Sequence, residues 1–267
     1  MSADPDDHSM TLWDHLAELR SRIVRMLLSF LAGGIVAWIY RESLLAWLTS
    51  PFAEAWPTGQ AAAASLHFPS PASLFIAYVR IAALGGFIFA LPFILYQLWA
   101  FIAPGLYSRE KRFALPFVAS SCLLFAAGGW FAWRFAFPAA FKYLLSFAGT
   151  VGDVVTTPTV MIGDYLDFVT HMLLAFGFAA ELPILVFFLS IAGLVDYKQL
   201  IKFFRYFVVL AFVIAAVLTP PDPLSQLMLA VPLCVLYAIS IGVCYLFARP
   251  RAAPAADDAP LVGKAPE

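Results

Sequence analysis

The chain is predicted to be an all-α integral membrane protein with six transmembrane helices and both termini in the cytoplasm, and three observations predict it. Of its 267 residues, 63% are hydrophobic and 12% charged, against roughly 45–50% and about 25% in soluble domains. The apolar residues gather into stretches close to the roughly 20 residues a helix needs to cross a bilayer. The basic residues, in turn, crowd onto alternate connections between those stretches. Together these exclude a water-soluble globular fold. Backbone in lipid must satisfy its own hydrogen bonds, which selects helices, and the alternation of a membrane barrel is missing.

Taken in order, the expected spans are 23–40, 74–98, 113–133, 165–194, 206–221 and 224–248. The second carries Arg80 near its outer end, the third is free of charge, and the fourth holds His171 and Glu181. The fifth is short, and the sixth is uncharged throughout. A segment from Ser43 to Trp56 mixes Leu44, Leu45, Trp47, Leu48, Phe52 and Trp56 with polar residues, as a short amphipathic helix at the interface would, or a plain aromatic anchor for the first span. Residues 1–248 are expected to form one transmembrane domain, and 249–267, rich in Ala, Pro and Asp, a disordered cytoplasmic tail. The opening Asp4, Asp6 and Asp7 lack the basic start of a secretory signal peptide, so the N-terminus is expected to be retained.

Charge sets the orientation. Arg20, Arg22, Arg25, Arg109, Lys111, Arg112, Lys198, Lys202, Arg205, Arg249, Arg251 and Lys264 fall on one set of connections; only Arg41, Arg80, Arg134 and Lys142 fall on the other. Positive residues are retained in the cytoplasm, which places both ends there.

The sequence shows no P-loop, dinucleotide fingerprint, zinc signature or nucleophile elbow, so neither an enzyme nor a cofactor is expected. Cys122, Cys234 and Cys244 are odd in number and lie inside apolar stretches, as small buried residues do. No nucleic-acid partner is implied.

Four stretches remain as functional candidates. Around Thr11 to Arg20, Leu12, Leu16, Leu19, Ile23 and Leu27 form one apolar helical stripe, and Thr11 with Asp14 has capping-box spacing. Asp14, Glu18 and Arg22 share another face; by spacing alone Glu18 and Arg22 make an ordinary pair contributing about 0.3–0.5 kcal/mol. Between Tyr96 and Arg112, Pro104 and Gly105 break the second helix, Trp99 and Tyr107 suit an interfacial belt, and Ser108 can cap the third helix with Glu110 in its first turn. Glu181 lies near the middle of the fourth span, where a charged carboxylate costs at least about 2.5–3.5 kcal/mol, so it must be protonated, paired or in contact with water. Pro183 has no N–H for the carbonyl of Ala179, so a kink and a polar groove are expected beside it. Finally, Thr219-Pro-Pro-Asp-Pro-Leu-Ser-Gln226 is a proline-stiffened turn in which Asp222 can cap the sixth helix.

In combination, His15-Leu-Ala-Glu-Leu-Arg-Ser-Arg-Ile, the stretch from Pro92 to Arg112, Phe176-Gly-Phe-Ala-Ala-Glu-Leu-Pro183 and Leu218-Thr-Pro-Pro-Asp222 resemble the TatC component of the twin-arginine protein translocase over nearly the whole chain. The resemblance implies a concave helical shell in the bacterial inner membrane. It implies a non-enzymatic receptor for twin-arginine signal peptides of folded cargo, assembled with TatA-like and TatB-like single-span partners and with copies of itself, and driven by the proton-motive force. It places signal-peptide binding at Glu18, Glu110, Arg20, Phe101, Leu106 and Tyr107, an intramembrane functional position at Glu181 with Pro183, and partner contact at Thr219, Asp222 and Gln226. Ala216 departs from the methionine of some members. Two carboxylates offer planar acceptors to two guanidinium forks, which suits the chemistry. The rival expectation is a proton-coupled solute transporter using Glu181.

Overall fold

The computed structural model describes residues 12–56, 64–102, 114–151, 153–191, 193–219 and 222–247. The tail after 248, Thr11 and Ser108 lie outside them. The chain is built from nine α-helices among the described residues: α1 (Leu12–Ile39), α2 (Arg41–Ala55), α3 (Pro71–Ile102), α4 (Ala114–Phe131), α5 (Phe137–Leu145), α6 (Ile162–Ala180), α7 (Leu182–Ile191), α8 (Tyr197–Leu218) and α9 (Pro223–Phe247). A π-helical turn, Ala132–Ala136, joins α4 to α5 without a break.

Six stretches are long and apolar enough to cross a membrane: Leu16–Ile39, Pro71–Leu98, Leu115–Leu145, Ile162–Ile191, Tyr197–Leu218 and Pro223–Phe247. Six helices of that length and composition make this a multi-pass membrane protein. The boundaries depart from the sequence expectation in two informative places. The third span continues past 133, because the π turn lets Arg134 point outward while the helical hydrogen bonding carries on to Leu145. The fifth span starts at Tyr197 instead of 206 and ends at Leu218 instead of 221, so it is 22 residues long and reaches about 33 Å. Asp196 and Gln199 form a reciprocal capping box that starts α8 before the basic residues. Lys198, Lys202 and Arg205 then lie on the helix, where long side chains can carry their charge toward the interface.

The helices form a layer open at both edges. α1 packs on α3, α3 on α4 and α6, α4 on α6, α7 on α9, and α9 on α8. Only 6% of the apolar stretch of α1 and 17% of that of α8 are buried, against 44% in α3, so α1 and α8 are the edge helices. Leu27, Leu28, Leu31, Ile35 and Ile39 of α1 are exposed as a lipid-facing surface. Glycines allow close approaches inside the layer. A Cβ on Gly86 of α3 would stand 2.6 Å from the backbone nitrogen of Gly34 on α1, and one on Gly128 of α4 would collide with the Phe176 carbonyl of α6.

At the Tyr165 end of α6, α2 and α5 close over the layer. The amphipathic segment is helical, as expected, and it buries Leu48, Pro51 and Phe52 instead of only anchoring α1. Phe52 meets Tyr165 edge-on at 5.5 Å, Phe141 stacks on Tyr165 at 5.3 Å, and the Tyr165 hydroxyl donates to the Leu48 carbonyl at 2.7 Å. Trp47 and Trp133 stack at 5.0 Å, and the Trp133 indole N–H donates to the Trp47 carbonyl at 3.2 Å. Two short strand pairs complete the same end: β1 (Leu66–His67) parallel to β4 (Val160–Met161), and β2 (Gly149–Val151) antiparallel to β3 (Val154–Thr156).

Candidate functional site: a rim ion pair, an apolar groove and a broken helix

The rim begins on α1. Glu18 and Arg22 lie four residues apart on one helical face, which brings their side chains together. The Arg22 Nε and Nη2 donors both reach Oε1 of Glu18, at 3.0 and 2.5 Å. The remaining guanidinium nitrogen, Nη1, donates to Oε1 of Gln97 on α3 at 3.2 Å. Gln97 is 4% exposed, and the Arg22 and Glu18 side chains are 16% and 26% exposed, so the cluster is sheltered without being sealed. Arg20 is exposed on the same helix. Leu106, Tyr107, Glu110 and the side chain of Phe101 lie outside the described residues.

α3 connects this rim to a second feature. While Gln97 faces α1, Leu91, Leu95 and Leu98 of the same helix line a groove of about 320 Å³ whose other walls are Phe117 and Phe125 of α4 and Ile184 and Phe188 of α7. Its lining is apolar except for Ser121 and Glu181.

Glu181 sits where the fourth span breaks. α6 ends at Ala180 and α7 begins at Leu182, with the Glu181 N–H turned to the Phe178 carbonyl at 3.1 Å. Pro183, one residue into α7, cannot donate back to Ala179, which accounts for the break the sequence implied. The Glu181 carboxylate faces the Ser121 hydroxyl and the backbone of Phe125 across the groove. Yet its Oε1 and the Ser121 Oγ, both buried, find no partner at good hydrogen-bond geometry among the described residues. Such unsatisfied atoms are costly in a packed interior and are resolved by water or a polar ligand.

The α8–α9 hairpin uses its polar residues internally. Asp222 accepts from the Ser225 N–H at 2.7 Å, capping α9 as expected. Thr219 donates to the Ala215 carbonyl at 2.8 Å, and the Gln226 amide donates to the Phe212 carbonyl at 3.1 Å, tying α9 to α8. Asp222 Oδ2 and Ser225 Oγ remain buried and find no partner among the described residues.

One group escaped the sequence reading. Arg80 of α3 pairs with Asp167 of α6 at 2.5 Å, and Thr170 and His171 share the pocket of about 390 Å³ around them. The signal was available: Asp167, His171, Leu174, Phe178 and Glu181 recur at helical spacing, so one stripe of the fourth span faces the open side of the layer. Among the described residues no group of three or more His, Cys, Asp and Glu could hold a metal ion. The three cysteines are free.

Comparison with known proteins bears on the family and the fold. Residues 14–232 match the family described as Sec-independent protein translocase protein (TatC). A TatC of Halothiobacillus neapolitanus is 41% identical over 91% of this chain, which spans 64% of that longer relative. A TatC of Aquifex aeolicus is 38% identical over 91% of this chain and 98% of its own length. A crystal structure described as the twin arginine translocase receptor TatC superposes with a TM-score of 0.78 at 38% identity, covering 88% of this chain and all of that one. With a family match across most of its length and the same six-helix architecture, the chain belongs to the TatC family of Sec-independent protein translocase proteins, a transport family and not one of catalysts.

Proposed function

We propose that this chain is the receptor subunit of a twin-arginine translocase, binding the paired arginines of a signal peptide at its cytoplasmic rim and the apolar stretch that follows them in the groove. The observation that carries this reading is the two-sided use of α3: Gln97 turns toward Glu18 and Arg22 on α1, while Leu91, Leu95 and Leu98 line the groove. A segment with two arginines followed by apolar residues therefore meets a carboxylate and an apolar slot within one helical stretch. Glu18 supplies one acceptor, and Glu110 supplies the second; Arg20, Phe101, Leu106 and Tyr107 flank them. Glu181 and Pro183, at the far end of the groove, serve a step after recognition. Thr219, Asp222 and Gln226 mark the face for TatA-like and TatB-like single-span partners in an assembly holding several copies of this chain. Cargo movement draws on the proton-motive force, across the inner membrane, with both termini of this chain in the cytoplasm.

The test is site-specific cross-linking from Glu18 and Leu98 positions to a synthetic twin-arginine signal peptide, with a twin-lysine peptide as control. Cross-links from both positions that the twin-lysine peptide lacks are expected. Equal cross-linking of the two peptides would overturn the reading.

A further inference from the structure

We propose that Arg22 and Gln97 are positioning residues that hold Glu18 ready for an incoming guanidinium. The proposal rests on the reading of Glu18 as part of the signal-peptide site. Both Arg22 donors that reach Glu18 converge on one oxygen, Oε1, so Oε2 accepts no hydrogen bond among the described residues. The third donor is spent on Gln97, whose side chain is 4% exposed and belongs to a different helix. The chain of contacts therefore runs from the packed α1–α3 seam, through a planar guanidinium, to one half of a carboxylate. A glutamate has several freely rotating bonds, and an arriving peptide would otherwise have to immobilise it. Here the immobilisation precedes binding, and the second oxygen is left to accept an incoming donor, which is preorganisation by the contacts behind the carboxylate.

The geometry disfavours the opposite role, in which Arg22 is an internal competitor occupying the site of the peptide arginine. A competitor would be expected to engage both carboxylate oxygens in the fork-to-fork manner open to arginine, and to be free to leave. Arg22 engages one oxygen and is fastened on its other side by a buried amide. Arginine is suited to the strut because its donors are rigidly disposed, whereas a lysine ammonium could not address Glu18 and Gln97 from a fixed plane.

The test is a thermodynamic cycle on the full-length protein in nanodiscs, reading the dissociation constant of a synthetic twin-arginine signal peptide. Glu18→Gln, Arg22→Gln, their combination, Arg22→Lys and Gln97→Leu are compared with the parent chain. Arg22→Gln is expected to weaken binding about tenfold, and the double variant to be no weaker than Glu18→Gln alone, since Arg22 acts through Glu18. Arg22→Lys and Gln97→Leu are each expected to weaken binding about threefold and to narrow the preference for a twin-arginine over a twin-lysine peptide, a preference that a merely structural residue would leave intact. Tighter binding by Arg22→Gln would identify Arg22 as a competitor and overturn the proposal. Losses that add in the double variant, or unchanged binding in Arg22→Gln while Glu18→Gln weakens it, would overturn it while leaving Glu18 in the site. Unchanged binding in Glu18→Gln would overturn the underlying reading, and the proposal with it.

Discussion

Gln97 and Arg22 lie 75 residues apart in the chain and are joined by a hydrogen bond of 3.2 Å that connects the rim of α1 to the helix lining the apolar groove. The same helix thus carries Gln97 toward α1 on one face and Leu91, Leu95 and Leu98 toward the groove on another.

Replacing the rim carboxylates should separate recognition from folding. Glu18→Gln with Glu110→Gln should lower twin-arginine peptide affinity by tens- to hundreds-fold, because a sheltered hydrogen bond to a charged group contributes roughly 1.5–3 kcal/mol and an exposed one about 0–1. Export of twin-arginine cargo should stop while the protein remains in the membrane at its normal level. Parental affinity in that double variant would remove both glutamates from the site.

Glu181 can be divided into its polarity and its titration. Glu181→Gln keeps shape and hydrogen bonding, and Glu181→Ala removes them along with the titration. If the groove at Ser121 requires only a polar group, Gln should retain most export and Ala should lose it. If a proton must come and go, both should fail while peptide binding survives. Full export by the alanine variant would show that the carboxylate is tolerated and not used.

The orientation can be read by labelling. Single cysteines in a cysteine-free background should react with an impermeant reagent from outside at Thr58 and Thr157 and remain protected at Ser108 and Gln199. The basic residues set this expectation, and labelling of Ser108 from outside would reverse it.

The helical cap depends on a buried tyrosine. Tyr165→Phe keeps the ring between Phe52 and Phe141 but leaves the Leu48 carbonyl without its donor. A loss of about 1–3 kcal/mol is expected, visible as a lower unfolding midpoint in detergent, with no change in peptide affinity.

Between the helices that face lipid, Gly86→Leu should be far more damaging than its exposure or position suggests. Its Cβ would enter the backbone of α1 at Gly34, where no side chain can yield. The variant should show proteolytic release of α1 from membranes, whereas a leucine at Gly34, whose Cβ would meet the Ala82 carbonyl only at ordinary contact distance of 3.8 Å, should be tolerated.

Much of the molecule was legible without coordinates, because its strongest signals are local. Length and hydropathy identified six spans, since a helix in lipid is its own hydrogen-bonding unit. Spacing alone paired Glu18 with Arg22, and the missing N–H of Pro183 broke the fourth span next to Glu181. The apolar run of the fifth span starts at 206, but the helix that carries it, α8, starts at Tyr197. The capping box at Asp196 shows that backbone geometry, with basic side chains reaching outward, decides where α8 begins.

What tertiary structure alone decided are the contacts between distant helices. Arg22 needed Gln97, Arg80 needed Asp167, and the Leu48 carbonyl needed Tyr165, each pair on separate elements. Hydropathy reports how deeply a residue can sit in lipid but not which neighbour it will face there. That choice follows from where glycines such as Gly86 and Gly128 let two backbones approach, and from the packing that leaves α3, α4 and α7 apart far enough to form a groove.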